Sequence, residues 1–142
     1  MLAKTSIRMS RRRQRKSRRG ATTVEFALTL PLFILFLMAS FEFGWMNVLR
    51  HTADNAAYEA ARYAMVPGGT AAEAKARATS ILKIIGARGA VVTVSPATLS
   101  ATTDEVTVSI DIPMKSNGLV VPKFTKSKTL HSEATMRTER AK

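Results

Sequence analysis

Few residues of this chain have the type and spacing that chemistry needs. There is no cysteine, which excludes disulfides, thiolate zinc sites and a cysteine nucleophile. The two histidines, His51 and His131, stand eighty residues apart on different expected elements and fit surface or strand-face positions better than metal ligands. No nucleophile–base–orienter set and no Gly-rich phosphate loop occurs. The expectation is therefore no catalytic residue, no metal and no cofactor. What remains is electrostatic. A block of positive charge stops at Gly20, and a lone carboxylate, Glu25, follows five residues later at the mouth of an apolar helix.

The formal net charge of +12 is distributed unevenly. Residues 1–20 hold nine basic side chains and no acidic one, leaving +3 for residues 21–142. A disordered basic arm that binds nucleic acid is one reading of such a block. Here the block abuts a membrane-length apolar run, and Lys and Arg concentrate on the cytoplasmic side of a span, so a topology signal is the preferred reading. It places the N-terminus in the cytoplasm and residues 45 onward outside.

The elements that position Glu25 follow from periodicity. Residues 1–19 are polar and aperiodic and read as disordered. Ala21 to Phe41 is a run of twenty-one residues with Glu25 as its one charge, and about 20 apolar residues suffice to span a bilayer. Pro31 should bend this helix, and Trp45 lies where an interfacial anchor is expected. An ordinary signal peptide fits less well, because the run is long and "LMASFEF" has no small-x-small cleavage site.

The helix continues as an amphipathic one. Met46, Leu49, Ala53, Ala56, Ala57, Ala60, Ala61 and Ala64 recur at three- and four-residue intervals. The stripe is mostly alanine, so Ala53, Ala57, Ala60 and Ala64 are read as a close-packing seam, facing either the head of the same subunit or a neighbouring helix. Arg50 and Asp54 can pair on the other side. Helix from Ala21 to Val66, where "PGG" ends it, would be about 69 Å long at 1.5 Å per residue.

A second helix opens at Thr70 with a capping box to Glu73, buries a side including Ala74, Ala78, Ile81, Leu82 and Ile85, and ends at Gly86. Three strands follow. "AVVTV" (Ala90–Val94) is short. "EVTVSIDI" sets Val106, Val108, Ile110 and Ile112 on one face, and "TLHSEATMR" sets Leu130, Ser132, Ala134 and Met136 on one face. The linker Pro113–Lys128 contains an Asn117–Gly118 turn signal and an apolar patch, Leu119–Val121, that is either a core plug or a contact surface. The expected fold is α+β: a leader (1–20), a long N-terminal helix (21–66, membrane-spanning from about 21 to 45) and a small head (67–142) with a three-stranded antiparallel sheet.

These stretches carry a resemblance. "RRGATTVEFALTLPLFILFL", "FEFG" (Phe41–Gly44), "NAAYEAARYA" (Asn55–Ala64) and the closing "SEATMRTE" (Ser132–Glu139) together resemble the TadE-like minor pilins, or pseudopilins, of tight adherence (Tad, Flp) type IVc pilus systems. The resemblance implies cleavage between Gly20 and Ala21 by a membrane aspartyl prepilin peptidase, and Glu25 and Phe26 as assembly and recognition residues. It implies as partners other major and minor pilins, the inner-membrane assembly platform and membrane lipid, with no nucleic acid. The location would be the bacterial inner membrane, single-pass, with the head outside, and the role pilus biogenesis and adherence rather than catalysis. Ala21 stands where type IV pilins most often have Phe, which suits Tad-type substrates.

Glu25 has a plainer reading too. Thr22-x-x-Glu25 is itself a capping box, and a carboxylate in a first turn complements the helix dipole. The competing function is an uncleaved single-span protein whose head binds a partner or envelope component.

Overall fold

A computed structural model describes residues 16–118 and 124–139, with side chains from residue 20 onward. Helix α1 is Lys16–Met65, α2 is Ala71–Ile84, and strands β1 (Val91–Ser95), β2 (Glu105–Pro113) and β3 (Thr129–Arg137) follow, with a 3-10 turn, Met114–Ser116, after β2. The fold is α+β, as the sequence predicts. The leader before residue 16 and the patch Leu119–Val121 lie outside the described residues.

One boundary differs from expectation. Helix α1 starts five residues before Ala21, so residues 16–19 are helical and Gly20 lies inside the helix. Lys and Arg are good helix formers, and an interior Gly costs only about 1 kcal/mol relative to Ala, which flanking turns can carry. At the other end α1 stops at Met65, and Gly69 must approach it closely. A Cβ there would lie 2.5 Å from the Tyr63 carbonyl oxygen.

Local chemistry sets α2 as expected. Thr70 is its N-cap, with the Glu73 N–H donating to Thr70 Oγ1 at 3.2 Å and the Thr70 hydroxyl donating to Glu73 Oε2 at 2.7 Å. At the far end Gly86 adopts φ +67°, Ala87 N–H donates to Leu82 O and Gly86 N–H to Lys83 O. These are the two bonds of a Schellman motif, which a left-handed residue permits.

The sheet runs β1-β2-β3, antiparallel throughout. β1 is set one residue later than the sequence suggests. Period-2 alternation sorts the faces: Val106, Val108, Ile110 and Ile112 of β2 are buried, with Leu130 and Ser132 of β3 beside them. Register puts Val108 opposite Val94 on one side and Ala134 on the other. Burying such a side chain contributes about 1.5–3 kcal/mol, so β2, buried at four positions, dominates the sheet's share of the core.

By contacts the chain forms two compact units, Met1–Met38 and Ala39–Lys142. Over its described residues, 16–38, the first is helix whose apolar side chains (Val24, Phe26, Leu28, Leu32, Phe33) are exposed. In the second, one core cluster joins Leu49 and the alanines of α1 to Ala74, Ala78 and Leu82 of α2 and to the inward face of the sheet. Ala53, Ala56, Ala57, Ala60, Ala61 and Ala64 are fully buried. Asp54 does not pair with Arg50. Its Oδ1 instead accepts from the hydroxyl of inward-facing Ser132 at 2.7 Å, because the stripe that buries Ala53 and Ala57 brings the neighbouring Asp54 to the strand. The C-terminal stretch also returns to α1, where Glu139 N–H donates to Met65 O at 3.1 Å.

An alanine surface lets backbone approach backbone and leaves no room for growth. Ala57→Leu and Ala60→Leu are each expected to lower head stability by about 1–3 kcal/mol through overpacking. Denaturant midpoints of the variants against the unaltered chain check this, and unchanged midpoints in both would contradict it.

Candidate functional site

The N-terminal segment presents its signal residues openly. Gly20, Ala21, Glu25 and Phe26 are all exposed, and a Cβ at Gly20 would meet nothing within 4 Å. Among the described residues the Glu25 carboxylate has no partner; its backbone carbonyl accepts from Thr29 Oγ1 at 3.0 Å. Thr22 is the seventh residue of α1 rather than an N-cap. With the helix begun at Lys16, Thr22 and Glu25 do not form a capping box in the uncut chain. Six residues further on, Pro31 has no N–H to give the Ala27 carbonyl, and the helix carries it without interruption.

A second constellation lies within the Ala39–Lys142 unit and was not singled out by sequence reasoning. Glu42, in the middle of "FEFG", is buried to 9 % exposure on α1. Its Oε1 accepts from Thr125 N–H at 2.7 Å, from the Thr125 hydroxyl at 2.5 Å and from Phe124 N–H at 3.1 Å. A buried carboxylate is tolerated when donors satisfy it, and these donors come from a segment more than eighty residues on. One turn along, Trp45 Nε1–H donates to the Asn117 carbonyl at 2.6 Å. Trp45 is half-buried against the core, and its indole N–H holds a loop.

Asn117 stands in a turn, as its turn signal suggests, with its N–H donating to Met114 O at 3.1 Å, and its side chain has a further use. It is 6 % exposed, at φ −122°, and its side chain takes Arg88 N–H at 2.7 Å while giving its own N–H groups to Arg88 O and Pro113 O. Its amide fills three bonds, so it ties the loop after α2 to the end of β2. Glu42, Trp45 and Asn117 together attach the β2–β3 connection to α1. The signal for this was present in part: Glu42 is a charge between aromatic residues, but its donors are backbone groups that no side-chain pattern marks.

Loss of the Glu42 carboxylate leaves the Thr125 N–H and hydroxyl and the Phe124 N–H without an acceptor. Glu42→Ala is expected to cost about 3 kcal/mol of head stability, since donors left unsatisfied in a buried site each carry a penalty. Glu42→Gln, which keeps one acceptor oxygen, should lose less. A thermal or denaturant melt of the two variants checks the order.

The histidines do not meet. His51 is exposed on α1, and His131 on the outward sheet face. His131 Nδ1 is 2.8 Å from Asp111 Oδ1 and Nε2 is 3.4 Å from Glu133 Oε2. These hydrogen bonds, that to Asp111 foremost, raise its pKa above the ordinary 6.5. Being exposed, the group is a local charge ladder on the strand face. Among the described residues no group of three or more His, Asp and Glu side chains could hold a metal ion.

The helix that carries both constellations is also long and apolar enough to cross a membrane. No curated protein and no solved structure matches the chain. Residues 20–62 match the family model of TadE-like proteins, which takes in Glu25, Phe26, "FEFG" and Asn55–Arg62 and leaves out the closing "SEATMRTE". Over most of its long N-terminal helix, then, the chain is similar to the TadE-like proteins.

Proposed function

We propose that the protein is a minor pilin or pseudopilin needed for Tad-type pilus biogenesis and surface adherence. The observation that carries this reading is where the TadE-like match begins: at Gly20, the residue where the positive charge ends and the exposed apolar helix begins. A prepilin peptidase cuts between Gly20 and Ala21, and the apolar part of α1 is held in the bacterial inner membrane. The head stands outside, and other pilins and the assembly platform are its partners. The basic leader orients the span and is not a nucleic-acid arm.

The topology has a direct test. Protease added to spheroplasts is expected to digest the head while sparing a small N-terminal fragment. A protected head would reverse the orientation and remove the function with it.

One observation favours the uncleaved reading, in which the head alone binds an envelope component. Helix α1 runs unbroken from Lys16 through Gly20, so a peptidase has to open a helical bond there. The intact mass of the protein from its native membrane separates the two readings, because only the pilin reading predicts loss of residues 1–20.

A further inference from the structure

Beyond the span itself, the head presents a second apolar surface. Phe43 of α1 and Phe124 stack with ring centroids 6.5 Å apart and planes at 28°. Phe43 remains 50 % exposed and Phe124 45 % exposed. The pair is held in place by the Glu42 clasp, whose carboxylate takes the Phe124 and Thr125 N–H groups. Two half-exposed aromatic rings fixed against each other by a buried carboxylate are an expensive arrangement in water alone, at about 25 cal/mol per Å² of apolar surface.

Depth identifies what covers them. The hydrocarbon core takes about 20 helical residues, and each interfacial layer adds about 5–7 Å, or roughly four more at 1.5 Å rise. Phe43 lies two residues past the end of the twenty-one-residue run Ala21–Phe41, within that layer. The connection that carries Phe124, Pro113–Lys128, contains four lysines and no acidic residue, and Lys126 and Lys128 are exposed. The acidic group at this level, Glu42, is turned inward and satisfied. A surface of aromatic rings backed by lysines, with its carboxylate hidden, complements the acyl–headgroup boundary of an anionic bilayer.

We infer that Phe43 and Phe124, with Lys126 and Lys128, form a second membrane contact that seats the head on the lipid headgroups. The Glu42 clasp is the device that delivers it. This rests on the reading of α1 as a membrane span, and it adds a function for the β2–β3 connection.

The cysteine-free sequence allows a single spin label in the full-length chain. Three sites are compared in vesicles of phosphatidylcholine with and without phosphatidylglycerol, by accessibility to oxygen and to a water-soluble nickel chelate. Ile34→Cys reports the span, Thr93→Cys the outward sheet face and Ser127→Cys the proposed contact. The Ser127→Cys label is expected to gain oxygen and lose chelate accessibility relative to the Thr93→Cys label, more so with anionic lipid. Each lysine near an anionic surface should shift the docked-to-undocked ratio by about fivefold. Phe124→Ser should lower that ratio by about tenfold, and Phe124→Leu should restore most of it. The Thr93→Cys label, unchanged in mobility, verifies that the head stays folded.

Three results would overturn the inference. If the Ile34→Cys label lies in lipid while the Ser127→Cys label is as water-exposed as that of Thr93→Cys, the contact is absent and the span stands. If the Ser127→Cys label is shielded from both reagents, protein covers the surface. If Phe124→Ser changes nothing, the rings do not hold the contact. An Ile34→Cys label in water would instead remove the span reading on which the contact rests.

Discussion

Gly20→Val is expected to leave the precursor uncut in cells, with no mature chain beginning "ATTVEF" and no pilus. The structure makes this substitution unusually clean. Gly20 lies inside α1, and a Cβ built there meets nothing within 4 Å. Valine also has a better helix propensity than glycine, and its one favoured rotamer fits a helix. The folded chain therefore has no reason to object, and a processing defect would arise in the protease cleft, where a β-branched side chain keeps the scissile backbone from close approach. The size of the effect is all or none at the level of intact mass: a chain that retains residues 1–20 against one that has lost them. N-terminal sequencing and mass measurement of membrane fractions check it. A native protein that starts at Met1 while pili form normally would contradict both the cut and the pilin reading.

Most of the head was legible because its signals are local. Thr70, Glu73 and Gly86 bound α2 through contacts within one turn, and period-2 runs sort β2 and β3 into faces whatever they pair with. The alanine stripe likewise marks the buried side of α1, since 3.6-residue periodicity needs no partner to be visible. Three features were not legible, each for a physical reason. Asn117–Gly118 has the composition of a turn and Asn117 stands in one, but the buried use of its amide rests on tertiary bonds to Arg88 and Pro113 that composition does not show. Trp45 has the position of an interfacial anchor, while its N–H finds a carbonyl seventy-two residues away. Glu42 gives no side-chain pattern at all, because two of its donors are backbone N–H groups whose location depends on the fold of the β2–β3 connection.

Glu42 and Glu25 are two carboxylates on one helix with opposite surroundings, and the contrast bears on the second. Glu42 is buried and satisfied within its own chain. Glu25 is exposed, and among the described residues its carboxylate is unpartnered. A charge kept within an apolar run without an internal partner is costly wherever that run enters lipid, by about 2.5–3.5 kcal/mol on insertion scales. The cost is tolerated if a partner arrives from outside the chain.

Glu25→Gln is accordingly expected to insert normally and be cut at Gly20, yet fail to assemble. Cleavage would create a positive α-amine at Ala21, four residues from Glu25 and hence on the same helix face. In a bundle of such helices the Glu25 carboxylate would then pair with the Ala21 amine of a neighbouring subunit, and pairing would offset the burial of both charges. Glutamine keeps the size and a hydrogen-bonding oxygen but not the charge. Removing one partner of a buried pair leaves the other charge uncompensated at a cost of about 3 kcal/mol, roughly a hundredfold in each subunit association, and it compounds along a fibre. The capping alternative predicts a small stability change with assembly preserved. In the uncut chain Thr22 is interior to α1, so a cap at Thr22 can form only after the cut. Cross-linking between pilins and pilus counts at native expression decide between them. Normal assembly by Glu25→Gln would reduce Glu25 to a dispensable charge near a helix end. Failure of assembly with intact cleavage would assign it to the contact between subunits.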